Sequence, residues 1–61
     1  MMTNLDIQRQ AVQFAAMCAS KGERLEAADA WHRWSTAHGV TGPGARYLFE
    51  SEFLAADARR R

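Results

Sequence analysis

The chain has 61 residues, 48% of them hydrophobic, and carries 8 basic and 7 acidic side chains for a net charge of +1. A chain this short forms one domain at most and buries only about 60% of its unfolded surface. The balanced charge gives no strong field for nucleic acid or anionic lipid. Cys18 is the single cysteine, so an internal disulfide is excluded, and no Cys–His cluster has zinc spacing. Self-association is therefore the expected source of further stability.

Polar residues interrupt every apolar run of the sequence. It therefore predicts neither a membrane-spanning helix nor a secretory leader. We expect a cytoplasmic protein in which residues 1–61 form a single small helical domain.

The first predicted helix spans about residues 4–20. Thr3 or Asn4 can cap its N-terminus, and Asp6 lies in the first turn, where a carboxylate suits the helix dipole. Its apolar residues recur at spacings of four, three and four, which is typical of one helix face. We expect this face to lie in the core or in a dimer interface. The stripe consists of Ile7, Ala11, Phe14 and Cys18.

The second predicted helix spans about residues 23–38 and follows Gly22, which suits a helix end. Trp31 and Trp34 share its apolar face, three residues apart. We expect both rings to pack in the core against the first helix. The alternative is an aromatic platform for a base or another ligand, but such platforms are surrounded by basic side chains. Only Arg33 lies close to the two tryptophans in the sequence.

The residues that most often carry chemistry are not arranged in any catalytic motif. His32 and His38 are six residues apart, about 120° around a helix, so they cannot bind one metal ion together. Cys18 lies on an apolar stripe, which favours a buried, inert thiol over a nucleophile. No acid–base pair is marked beside it. The sequence therefore predicts no enzyme, no metal site and no cofactor.

The third predicted helix spans about residues 43–59, with Pro43 in its first turn. Its large apolar side chains point in several directions, more than a three-helix monomer is expected to bury. Exposed aromatic side chains mark protein interfaces. We therefore expect a partner-binding surface on this helix, formed by Arg46, Tyr47, Phe49, Glu50 and Phe53. The next choice is the side of the second helix formed by Leu25, Ala28 and His32.

Three short helices also permit a second hypothesis, a small DNA-binding regulator of the helix-turn-helix type. A recognition helix needs exposed Arg, Lys, Asn or Gln side chains. The third helix instead offers apolar side chains together with Glu50 and Glu52, which oppose DNA phosphates. Its final run, Arg59, Arg60 and Arg61, suits the negative end of the helix dipole. A protein partner is therefore favoured, and a nucleic-acid partner is not expected.

Residues 11–37 resemble a tetratricopeptide-type helical hairpin. Ala15 stands as the small residue of the first helix, Gly22 as the turn, and Ala27 and Trp31 as the small and aromatic residues of the second. A single repeat of this kind cannot bury its own face. The resemblance thus implies self-association. With the three predicted helices, we expect an all-α fold, a helical hairpin plus a third helix, assembled as a homodimer.

The whole chain, with Met2-Thr3-Asn4 near its start and a hairpin centred on Gly22, resembles the small early proteins with which bacteriophages inhibit host proteins. The class it resembles is that of the quorum-sensing anti-activators, which are small, helical and free of motifs. This resemblance implies a non-enzymatic, stoichiometric inhibitor of a host regulatory protein or ATPase.

Overall fold

The computed structural model describes residues 2–59, and this part of the chain folds into helices without a strand. They are α1 (Asn4–Ser20), α2 (Ala27–His38) and α3 (Pro43–Arg59). The predicted all-α class is thereby confirmed. Arg60 and Arg61, which the sequence places at the negative end of α3, lie outside the described residues. Within residues 2–59, none of the helices is long and apolar enough to cross a membrane.

α1 begins with a reciprocal pair of hydrogen bonds between Thr3 and Asp6. The Thr3 hydroxyl accepts a bond from the Asp6 backbone N–H at 3.2 Å, and the Asp6 carboxylate accepts one from the Thr3 backbone N–H at 3.0 Å. This capping box pairs backbone donors that have no partner within the helix. The hydrogen bonds from the Thr3 backbone and side chain lower the pKa of the Asp6 carboxyl below its ordinary 3.8.

The Thr3→Ala variant is expected to lose about 1 kcal/mol of unfolding free energy at neutral pH, because it removes one half of the capping box. A carboxyl whose pKa is depressed in the folded state stabilises the protein above its unfolded pKa and loses that effect as the pH falls. The parent should therefore lose stability as the pH drops through 3.8 and below. Urea unfolding of both proteins, followed by circular dichroism at pH 7 and pH 3, measures both effects. Equal stability of the two proteins at pH 7 would contradict the role of the cap.

α1 ends in a turn that requires a glycine. Gly22 has φ 70°, the left-handed region that favours this residue. The Gly22 N–H donates to the Ala19 carbonyl at 3.1 Å, and the Glu23 N–H donates to the Cys18 carbonyl at 2.9 Å. This pattern is a Schellman motif and turns the chain away from the helix axis. The chain then stays non-helical through residue 26, so α2 begins at Ala27, four residues later than predicted.

The second break has the same form. Gly39 has φ 65°, and the Val40 N–H donates to the Ser35 carbonyl at 3.1 Å. Val40 packs against the core, as the residue after such a glycine often does. Pro43 then opens α3 at the predicted position, and the Arg46 N–H donates to the carbonyl of Gly42. The predicted start of α3 agrees with the structure, and the helix continues to Arg59, the last described residue.

α3 is the helix against which both α1 and α2 pack. The buried positions of α1 and α2 are mostly alanines, which let the helix backbones approach the aromatic residues of α3 closely. The core beneath them is one cluster. It consists of Ile7, Ala11, Ala15, Ala27, Ala30, Trp34, Phe49, Phe53 and Ala56.

Phe49 is the centre of this core, with no exposed surface. Its ring stacks on Trp34, with ring centroids 4.8 Å apart and an angle of 25° between the ring planes. Phe14, Trp31 and Phe53 surround the same ring at centroid distances of 6.0, 5.9 and 6.2 Å. Such separations are those of favourable aromatic pairs. Trp34 thus lies in the core and Trp31 packs at its edge. The ring that contacts both tryptophans and Phe14 is Phe49 of α3.

Candidate functional site

The structure divides the predicted partner-binding surface of α3 between two faces. Phe49 and Phe53 are 0% and 3% exposed and lie in the core of the single chain. This burial corrects the expectation that they contact a partner, because the aromatic residues of α1 and α2 already cover them. Tyr47 is 72% exposed. Its two-residue offset from Phe49 corresponds to about 200° around the helix, which places the two rings on opposite faces.

Arg46 and Glu50, the remaining members of that predicted set, form an ion pair one helical turn apart. The guanidinium Nε donates to the carboxylate of Glu50, and the Arg46 side chain is 53% exposed. An exposed pair of this kind contributes only a few tenths of a kcal/mol. Together with Tyr47 these residues form an accessible edge of α3, and Arg46 also lines a shallow cavity of about 380 Å³ with Trp31 and Val40.

Most residues of the predicted core or dimer face are buried within a single chain. Ile7, Ala11, Cys18 and Trp34 are buried, and their burial needs no second copy. Phe14 and Trp31 are only partly buried and pack against the edge of the core. These two rings therefore have surface that a partner can reach.

A groove of about 350 Å³ lies between α1 and α2. We name it the α1–α2 groove. Phe14 and Trp34 contact Phe49 on one side and line the groove on the other. Met17, which is 44% exposed, and Ala37 add further apolar surface.

The groove has a polar rim around this apolar lining. The rim residues are Gln10, Gln13, Arg33 and His38. His38 Nδ1 lies 2.9 Å from the Trp34 carbonyl oxygen, which can only accept, so this nitrogen donates. The His38 ring also stacks on Trp34 at 4.8 Å, which holds it at the edge of the groove. Arg33 pairs with Glu23 at 3.4 Å, and both side chains are largely exposed to solvent.

Sequence reasoning missed this groove because periodicity identifies apolar faces but not the distance between two helices. α1 and α2 were expected to close on each other through Phe14 and the tryptophans. Both helices pack more extensively on α3 than on each other, so a gap stays open between them. One residue of the sequence does indicate the groove. Met17 is a large apolar residue beside the predicted apolar stripe of α1, where the core does not account for it.

Cys18 is buried and does not line the groove. Burial raises the pKa of the Cys18 thiol, so the thiol form dominates at neutral pH. Among residues 2–59, no group of three or more His, Cys, Asp or Glu side chains is placed to hold a metal ion. The chemistry that the groove offers is burial of apolar surface inside a ring of hydrogen-bonding groups.

No family model, no curated protein and no solved structure matches this chain.

Proposed function

We propose that the chain is a non-enzymatic protein-binding module whose α1–α2 groove takes apolar side chains from a partner helix. The observation that carries this proposal is the apolar lining of Phe14, Met17 and Ala37 together with the almost fully buried Trp34, framed by polar side chains. An amphipathic helix binds such a groove by inserting side chains spaced three or four residues apart. Amide, imidazole and guanidinium groups at the rim can bond to the polar flanks of that helix.

The proposed role of this binding is stoichiometric inhibition of a host regulatory protein, as an anti-activator. Two arguments support it. A groove with an apolar lining and a polar rim can act by occupancy, because an occupied partner helix is withheld from its own contacts. The resemblance to small phage-encoded inhibitors points in the same direction. A host ATPase is the other target that this resemblance suggests, and the same groove would serve for it.

The proposal is tested with two alanine-to-glutamate variants on opposite faces of α2. Ala37 lines the groove, whereas Ala28 lies nine residues away, about 180° around the helix, and both are exposed. We expect Ala37→Glu to weaken partner binding at least tenfold, because it places a carboxylate against an apolar contact. Ala28→Glu should bind as the parent does. Proteins captured from a bacterial host lysate, then purified and titrated by calorimetry, give the affinity and the stoichiometry.

Each outcome of this experiment has a defined meaning. A captured protein that binds one to one, loses activity on binding and depends on Ala37 supports the proposal. Loss of binding in Ala28→Glu alone places the working surface on the side of α2 that includes Ala28 and His32; Leu25, the third residue of that predicted surface, precedes α2 and packs against the core. Salt-dependent binding of duplex DNA, with no protein captured, would favour the DNA-binding regulator instead.

A further inference from the structure

One side of α3 carries no charge over the described length of the helix, and all of it is exposed except Leu48, which packs partly against the core at its edge. At 100° per residue, every position within 60° of Ser51 on this helix is uncharged. The chain as a whole has 15 charged residues, 8 basic and 7 acidic, so a charge-free solvent face is unusual for it. We name these positions the outer stripe. They are Gly44, Tyr47, Leu48, Ser51, Leu54, Ala55 and Ala58.

The outer stripe contains two of the large apolar side chains that the fold leaves exposed. Tyr47 is 72% exposed and Leu54 is 56% exposed. They lie seven residues apart, two helical turns, on the same side of the stripe. Ser51 and Ala58 alternate with them along the helix, and both are exposed. Large and small side chains therefore follow one another as Tyr47, Ser51, Leu54 and Ala58.

We propose that the outer stripe of α3 binds the outer stripe of a second copy of this chain, with the two helices antiparallel. A twofold axis that crosses α3 between residues 52 and 53 places Tyr47 of each copy over Ala58 of the other. The same axis places Leu54 over Ser51. Each large side chain then fills the space above a small one, as ridges fill grooves in helix packing. A twofold interface must be complementary to itself. The alternation of large and small side chains along the outer stripe meets this requirement.

The antiparallel direction follows from the same four residues. Two parallel copies in register would bring Tyr47 against Tyr47 and Leu54 against Leu54. Ser51 and Ala58 would then face their own copies across gaps that no side chain fills. Unfilled contacts of that kind lose packing energy, whereas large-to-small pairing closes them.

The size of the outer stripe sets the strength of the expected dimer. From Tyr47 to Ala58 it is about 16 Å long. A specific interface needs about 500 Å² from each copy, a small part of the 4274 Å² surface of the chain. One helix pair lies near this lower limit, so we expect a dissociation constant in the micromolar range. The dimer would leave both α1–α2 grooves accessible, because they lie on the side of each chain away from α3.

The first experiment measures the oligomeric state by sedimentation equilibrium over a wide concentration range. The parent should change from the 6.9 kDa monomer to a dimer of twice that mass. Ser51→Glu should raise the dissociation constant at least tenfold, because it buries an unpaired charge at the centre of the interface. Thr36→Glu is the matched control, since Thr36 is also an exposed hydroxyl residue but lies on α2, outside the outer stripe. It should dimerise as the parent does.

The second experiment separates the antiparallel arrangement from a parallel one. Ser51→Glu and Leu54→Lys are prepared separately and then mixed. In the antiparallel dimer the two introduced charges face each other across the interface, so the mixture should form a heterodimer more tightly than either variant dimerises alone. In a parallel dimer they face unchanged residues and the mixture gains nothing.

Three results would overturn the proposal. They are a parent that stays monomeric up to millimolar concentration, a Ser51→Glu variant that dimerises as well as Thr36→Glu, and a mixture without recovered association. Circular dichroism of each variant verifies that it is folded before association is measured. Ala37 lies outside the outer stripe, so Ala37→Glu tests partner binding and Ser51→Glu tests dimerisation. Failure of one proposal is therefore distinguished from failure of the other.

Discussion

Replacing Trp34 by alanine is expected to unfold most of the protein. Trp34 is 2% exposed, stacks on Phe49 and lines the α1–α2 groove, so its loss leaves a cavity that the three helices cannot close without moving. Truncation of a buried tryptophan costs about 3–5 kcal/mol. A domain this small has a total unfolding free energy of about 5 kcal/mol. The variant should therefore lose most of its helical signal at 25 °C, as measured by circular dichroism.

Two control variants show whether this loss comes from the buried ring. Trp34→Phe keeps an aromatic ring on Phe49 and removes the indole N–H, which is buried and finds no acceptor among the described residues. It should cost clearly less than alanine, since the unpaired donor is lost together with part of the ring. Trp31→Ala should also cost less, because Trp31 is only partly buried. A folded Trp34→Ala protein with the melting temperature of the parent would contradict this account of the core.

The sequence predicted the helices well because their ends carry local signals. Thr3 and Asp6 form the cap that their spacing suggests, Gly22 and Gly39 terminate the helices, and Pro43 opens the third. Each of these signals acts within one turn of the chain and needs no tertiary contact. The start of α2 was predicted four residues too early. The extended course that follows the Gly22 turn lets Leu25 pack against the core, which is a tertiary contact that propensity does not contain.

The faces of α3 were predicted less well, and for a physical reason. Its apolar residues occupy almost the whole circumference, so periodicity does not distinguish the core face from the outer one. The choice is made by packing, because only one rotation of α3 brings Phe49 between Phe14 and Trp34. That rotation leaves Tyr47 and Leu54 outside. The sequence therefore indicated an excess of apolar surface on α3, but not which residues supply it.

In our proposals the α1–α2 groove binds a partner helix, and the outer stripe binds a second copy of the chain. Phe49 separates them, because it supports Phe14 and Trp34 below the groove and occupies the inner face of α3 opposite the stripe. A change at Phe49 should thus affect the groove through the fold, whereas a change at Tyr47 should affect association alone. These two aromatic residues of one helix allow a direct comparison.

Phe49→Ala is expected to lower the unfolding free energy by about 3–5 kcal/mol, and Tyr47→Ala by less than about 0.5 kcal/mol. Phe49 has no exposed surface and is in contact with the aromatic residues of all three helices, whereas Tyr47 is 72% exposed. Urea unfolding at submicromolar concentration, where the proposed dimer contributes little, measures both values when it is followed by tryptophan fluorescence. Sedimentation equilibrium of Tyr47→Ala at higher concentration should then show weakened dimerisation of a folded chain. If Phe49→Ala is as stable as the parent, Phe49 is not the centre of the core. The claim that Phe49 supports Phe14 and Trp34 below the groove would then be contradicted as well.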